Sequence, residues 1–406
     1  MTATITSDPD VAPVSLRKSF PLRHFRQVPG PELRRLFHRL PEPFGGSRDR
    51  DLLAMALGAT LYVPATRPDL TATIVRRAER GVCSMVIDLE DAVADHDVAA
   101  GKRQTVRTLD ELADSGEPHP LLFVRVRDPH SIGELADRLG SGAVALTGFV
   151  LPKFDAARAS DYLDAVAAAS QRLGRTMFGM PVLESPALVH RETRDRELRR
   201  IGEVLAAHRD RVLAVRIGAT DMCSTFGIRR DRELTIYDVR VVADVIADIV
   251  NYLGRADGSG FTITGPVWEY FADHDRMFRP QLRTSPFAEI DAVPFRQSLV
   301  SRDLDGLLRE ITLDRANGIQ GKTVIHPTHV AVVHALSVVT HEEYADALDI
   351  LRADAGGVAA SEYRNKMNEM RPHRSWARHI VLRAKVFGVA NQGVSFVDLL
   401  KALVES

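Results

Sequence analysis

The chain has little cysteine, no long hydrophobic run and no excess of charge, and each shortage excludes something. Only two cysteines, Cys83 and Cys223, occur in 406 residues. Both stand in or beside apolar runs, which argues against a disulfide framework and for a reducing, cytoplasmic home. No window approaches the roughly 18 uninterrupted apolar residues of a membrane span, so no membrane partner is expected. The N-terminal MTATITSDPDV lacks an apolar signal core, and its two aspartates argue against a transit peptide. A formal net charge of −1 gives no global field for nucleic acid or an anionic surface. No strand-like run is followed by G-x-G-x-x-G, so a dinucleotide-binding open sheet has no support.

What is present is a chain with 45% hydrophobic residues and a regular alternation from Leu61 onward. Short apolar strands are predicted at 61–64, 84–89, 121–126, 145–151, 176–183, 211–217, 261–267 and 323–326. Amphipathic stretches between them, such as 69–81 and 161–174, end on Gly81 and Gly174, as helix C-termini often do. The strands are nearly continuous in apolar character, as parallel strands buried on both faces are. The pattern predicts an α/β fold, a (β/α)8 TIM barrel over 56–338, with an N-terminal basic, Pro-rich extension over 1–55 and a C-terminal helical extension over 339–406. Within the first of these, Pro31–Leu40 reads as a short helix with an apolar edge of Leu33, Leu36, Phe37 and Leu40. The segment 268–297 after the seventh strand is too irregular for a helix and too long for a turn, the length of a lid or a packing excursion.

Ligands of parallel α/β folds bind at the strand C-termini, so the residues there carry the functional reading. Glu184 and Asp221 each follow an apolar run alone and would converge on one spot, a pair suited to a hard divalent cation such as Mg²⁺. An ion pair with a neighbouring arginine is the plain alternative. Asp88, Glu90 and Asp91 form an acidic cluster after the second strand, with helix capping as the alternative role for Asp91. Arg125 and Arg127 lie at alternate positions of the third strand, where a buried arginine suits carboxylate or carbonyl recognition. Lys153 either binds an anionic substrate or neutralises the acids. Arg67 follows the first strand, Pro266 the seventh, and His326 the eighth; His326 either carries a proton or fixes loop geometry.

LYVPATRPD, VIDLEDAVADHDVAAGKRQTV, LFVRVRD, VLPK, PVLES, RIGATDM and GIQGKTVIHPTHV occur in order across residues 60–335. Together they resemble the citrate lyase β-subunit-like branch of the HpcH/HpaI aldolase superfamily. That resemblance implies a TIM barrel, commonly a homo-oligomer (trimer), that uses Mg²⁺ to make or break a C–C bond beside a carbonyl. Its implied partners are a small oxo- or hydroxy-acid, free or as a CoA or carrier-protein thioester of the citryl, malyl or citramalyl type. By motif, Glu184 and Asp221 match the metal ligands and Arg125 the arginine that polarises the substrate oxygen. Glu90 and Asp91 match the acids near the metal-bound water, and Arg67 the strand-one arginine near the carboxylate or phosphate end. The chain departs from the pattern in the charged run RETRDRELRR between Glu184 and Asp221, in the expanded loop after strand seven, in His329 where the family's I-H-P-x-Q has glutamine, and in the tail NKMNEMRPHRSWARHI. The reading is a Mg²⁺-dependent C–C lyase or aldolase; a malyl-type thioester hydrolase and a non-catalytic binding barrel are the alternatives.

Overall fold

Eight short apolar strands pair in parallel, each with its neighbour in sequence, and the first also pairs with the last. They are β1 (Ala59–Pro64), β2 (Ser84–Asp88), β3 (Leu121–Arg125), β4 (Leu146–Leu151), β5 (Phe178–Leu183), β6 (Val215–Ile217), β7 (Ile263–Thr264) and β8 (Lys322–Val324). A single parallel bridge from Ile263 to Ile319 joins the remaining edges, and Gln320 N donates to Ile263 O at 2.8 Å there. The result is a nearly closed TIM barrel. This computed structural model describes residues 22–45, 49–271, 304–353 and 356–406. Most of the segment 268–297 lies outside the described residues.

The strands carry almost nothing but Val, Leu, Ile, Met, Phe and small residues because both faces are covered, the inner by the barrel core and the outer by helices. The helix Arg240–Leu253 shows how that cover is encoded. Its Val242, Val245, Ile246, Ile249 and Leu253 are buried at helical spacing, and its polar residues face away. Full burial of each such aliphatic side chain contributes about 1.5–3 kcal/mol. The helices Leu70–Glu79 and Ala159–Arg172 are followed by Gly81 and Gly174, both with positive φ, as the sequence predicts.

Two expectations are corrected. The sixth and seventh strands are shorter than 211–217 and 261–267. Around 212 only a single bridge to Gly179 forms, and after Thr264 the left-handed Gly265 and the N–H-less Pro266 end the ladder. The helix expected over Pro31–Leu40 is instead Gly30–Leu36, followed by an extended Phe37–Arg39 that pairs antiparallel with Val389–Ala390. Local helix propensity gives way there to a strand partner more than 300 positions away. The charged run RETRDRELRR lies within Arg191–Ala207, the helix that covers the barrel between β5 and β6. Two of its charges are structural. Arg194 donates to Leu188 O and Val189 O and pairs with Asp248 at 2.8 Å, and Glu197 accepts from Ala156 N at 2.7 Å.

Residues 22–44 contribute Leu22, Phe25, Val28, Leu33, Leu36, Phe37 and Phe44 to the same core as the barrel. At the other end of the chain, His341–Arg352 packs on Arg374–Phe387, and an antiparallel pair, Val358–Ala360 with Met367–Glu369, links them. Among the described residues no helix is long and apolar enough to cross a membrane.

Candidate active site

The C-terminal ends of β2 to β6 bring the acids and bases of the sequence to one rim. Asp88 is the last residue of β2 and pairs in register with Arg125, the last of β3. Parallel neighbours in register share a face, so the two side chains meet. The Asp88 carboxylate accepts from Arg125 Nε and Nη2, both at 2.6 Å, a bidentate arrangement with fixed geometry. It also accepts from the backbone N–H of Glu90 at 3.0 Å, which ties the turn after β2 to the same anchor. Arg125 Nη1 reaches Glu90 Oε2 at 3.0 Å and Asp91 Oδ2 at 3.3 Å. Burial works against the Arg125 charge, but the hydrogen bonds and charge of Asp88 outweigh it and hold the guanidinium above its ordinary value.

Lys153 follows β4 in a left-handed conformation, φ 48°, which is costly for a residue with a β-carbon. The turn serves two contacts at once. Its backbone N–H donates to Glu184 Oε1 at 2.8 Å, and its Nζ contacts Glu90 Oε1, lies 3.5 Å from Asp91 Oδ1 and 4.0 Å from Asp221 Oδ2. Burial opposes the ammonium charge as well, and its hydrogen bond to Glu90 overrides it, so Lys153 is held above the usual lysine range. Glu90 is pushed up chiefly by burial. Asp91 is pulled down despite burial, first by its hydrogen bond with Glu90 and then by Arg125 and Lys153. The two acids therefore differ in proton affinity, with Glu90 the better proton holder.

Glu184 follows β5 and is only 7% exposed. Burial, countered by the Lys153 N–H and reinforced by the nearby Asp221 charge, pushes its carboxyl up to about 8. Its position depends on Gly218, since a β-carbon there would stand 1.9 Å from Glu184 Oε2. Asp221 lies in the first turn of the helix Ala219–Ser224 that follows β6, and burial followed by the Asp91 charge raises it too. Glu184, Asp221, Asp91 and Arg125 line one cavity of about 220 Å³, with Tyr62 and Arg216 among its other walls. Glu184 and Asp221, with no imidazole or thiolate in the cavity wall, make a donor set that fits a hard divalent cation. No group of three or more His, Cys, Asp and Glu poised to hold a metal occurs among the described residues. Water and substrate oxygens would thus complete the shell, as Mg²⁺ prefers.

The remaining predicted site residues sit further out. Arg67 pairs with Asp69 at 3.0 Å and donates to Thr73 at 3.0 Å, away from the cavity wall. Pro266 is followed by Val267, which does line it. His326 stacks on Phe271 with centroids 4.5 Å apart and shares a hydrogen bond with Thr328 Oγ1 at 2.7 Å, beside the lining residue Ile325. Sequence reasoning passed over Tyr62, Arg216 and Glu269. Tyr62 and Arg216 lie inside apolar strand runs, and only the charge of Arg216 within such a run could have flagged it. Glu269 joins the wall by accepting from Thr220 Oγ1 at 2.8 Å.

The family described as C–C bond lyase of the TIM-barrel fold matches residues 51–389. The chain belongs to that family. This C–C bond lyase-family chain also resembles solved structures in fold. One is the protein CitE from Mycobacterium tuberculosis in complex with magnesium, acetoacetate and coenzyme A, at 20% identity, 82% of this chain and 99% of that one, TM-score 0.50. Another is a citrate lyase from Burkholderia xenovorans LB400, at 15% identity, 85% of this chain and 96% of that one, TM-score 0.58. At such identities the likeness is one of fold. No curated protein matches the sequence.

Proposed function

We infer that the chain is a Mg²⁺-dependent lyase that cleaves or forms a C–C bond beside a carbonyl in a hydroxy-acid or its acyl thioester. The observation that carries this reading is the convergence of Glu184 and Asp221 on one cavity whose wall also presents Arg125, oriented by Asp88. Family membership supports the bond type, and the magnesium, acetoacetate and coenzyme A held by the M. tuberculosis protein support the choice of ion and of substrate class. A CoA or carrier-protein thioester and a homo-oligomeric assembly belong to the same reading.

Cleavage of this kind leaves an enolate, and its charge needs a stabiliser already in place. Glu184 and Asp221 would hold the cation, which when bound supplies Lewis acidity toward the oxygens of the oxo-acid half. Arg125 is charged and aligned by two bonds to Asp88, so it meets a developing oxyanion without reorganising. Glu90, buried and of raised proton affinity, would take or return a proton at the substrate hydroxyl, with Lys153 balancing the charge left on the Glu90–Asp91 pair. Lys153 and Arg125 together prevent the acidic rim from repelling an anionic substrate.

Purified protein with Mg²⁺ is expected to release an oxo-acid from one or more of a panel of malyl, citramalyl and citryl thioesters, and Glu184→Ala and Asp221→Ala are expected to abolish that release. Free thiol without a C–C cleavage product would replace the reading with thioester hydrolysis. No metal binding at millimolar Mg²⁺ would replace it with a non-catalytic barrel.

A further inference from the structure

Four arginines are buried among the described residues: Arg194, Arg216, Arg230 and Arg383. Three of them have a carboxylate partner, Asp248, Glu310 and Glu343 respectively. Arg216 has none. At 1% exposure, its Nη2 donates to the Thr323 hydroxyl at 2.5 Å and its Nη1 faces the Met180 sulfur at 3.9 Å. Neither acceptor carries charge, so neither balances the guanidinium. The Tyr62 ring, 5.7 Å away, offers only a quadrupole. A buried charge left in that state costs stability unless an anion arrives from outside.

The surroundings provide a route and a second donor. Arg216 lines the same cavity as Glu184 and Asp221. On β7 the residue in register with it is Thr264, 2% exposed, whose hydroxyl has no hydrogen-bond partner. Thr264 and Arg216 share a face, as neighbours in register do. On the other side Arg216 is in register with Val182, two positions before Glu184. Its Cα thus lies about 6–7 Å deeper in the barrel than that of Glu184, at a strand rise of about 3.3 Å per residue.

The geometry points to Arg216, with the Thr264 hydroxyl, as the recognition point for a second carboxylate on the substrate. The acid bound at the metal end is then a short dicarboxylate, chelating through its oxo- or hydroxy-acid end at Glu184 and Asp221 and directing its other carboxylate toward the barrel floor. This inference rests on the lyase reading for the metal end and adds the substrate class. Bidentate guanidinium–carboxylate pairing is the strongest complement such a floor offers, and a monocarboxylate of the same size would leave Arg216 unpaired.

The test uses the full chain with Mg²⁺ and two probes that differ by one carboxylate, lactate and malate, titrated calorimetrically. Malate, in one of its enantiomers, is expected to bind at least tenfold more tightly than lactate. Arg216→Met is expected to bring the ratio within threefold, and Arg216→Lys to keep an intermediate ratio. Equal affinities in the unmodified protein, or a malate advantage that survives Arg216→Met, would overturn the inference. Should Arg216→Met fail to fold, the unmodified ratio and Arg216→Lys decide it. Mn²⁺ binding followed by paramagnetic resonance separates the two readings. Absence of both Mn²⁺ and lactate binding removes the lyase reading and this one with it, whereas intact metal and lactate binding without a malate advantage removes only the role of Arg216.

Discussion

A β-carbon on Gly218 would stand 1.9 Å from Oε2 of Glu184. The glycine begins the turn into the helix that carries Asp221, so the residue that starts the turn bringing the second acid into place also leaves room for the first. The backbone φ of Gly218 is −93°, open to any residue, and the requirement is therefore one of space alone. Gly218→Ala is expected to displace the Glu184 carboxylate and weaken Mg²⁺ binding at least tenfold, about 1.4 kcal/mol or more, with little loss of thermal stability. Calorimetric titration with Mg²⁺ reads the first effect and a melting curve the second. Unchanged affinity would mean that Glu184 is not a ligand.

Asp88 holds Arg125 by two bonds and is 2% exposed. Asp88→Asn keeps the shape but removes the charge and one acceptor, so Arg125 is free to turn toward Glu90 and Asp91. C–C cleavage is expected to fall by about two orders of magnitude, in line with the roughly 2–4 kcal/mol attached to one misplaced oxyanion donor. Mg²⁺ affinity should change by less than about threefold, because Asp88 is not in the donor set. A parallel fall in both would instead assign Asp88 to the metal.

Lys322 is wholly buried at the start of β8, with Nζ 2.9 Å from Glu310 Oε1 and 2.7 Å from Asp314 Oδ2. Burial pushes Asp314 up to about 7, with Lys322 the main counterweight. Lys322→Met leaves the buried Asp314 without a cation and Glu310 with Arg230 alone, and is expected to cost about 3–5 kcal/mol. Urea unfolding should show it as a shift in midpoint, and the double variant that also carries Asp314→Asn should recover part of the loss. No shift would mean that water reaches this cluster.

His329 stands where the resemblance puts glutamine, and it is fully buried. Burial, then the neighbouring His326, lowers its pKa to about 3. The folded protein keeps it neutral while the unfolded chain protonates it near pH 6.5. Its contribution is therefore intact above about pH 6.5 and is lost as pH falls toward about 3. His329→Gln removes the titration. Relative to the unmodified protein, the variant should gain about 1.4 kcal/mol of stability between pH 7.5 and pH 5.5. Unfolding curves at the two pH values check this, and a stability difference that does not change with pH would show that His329 protonates in the folded state.

Much of this protein was legible in its sequence because the signals are local. Apolar runs of strand length, glycines at helix ends and an acid directly after a strand each depend on a few adjacent residues, and together they placed Glu184, Asp221, Asp88, Glu90, Asp91 and Arg125 on one rim. Tertiary structure decided what those groups do to one another. That Asp88 clamps Arg125 follows from the register of β2 against β3, and that Lys153 touches both Glu90 and Glu184 follows from a left-handed turn that no composition announces. The swap of Phe37–Arg39 from helix to strand came from a partner at the far end of the chain. Arg216 is the sharpest case. In the sequence it is one charge inside an apolar strand; in the barrel it is a buried cation without an anion among the described residues, because strand order sets Val182, Thr264 and Thr323 around it instead of a carboxylate.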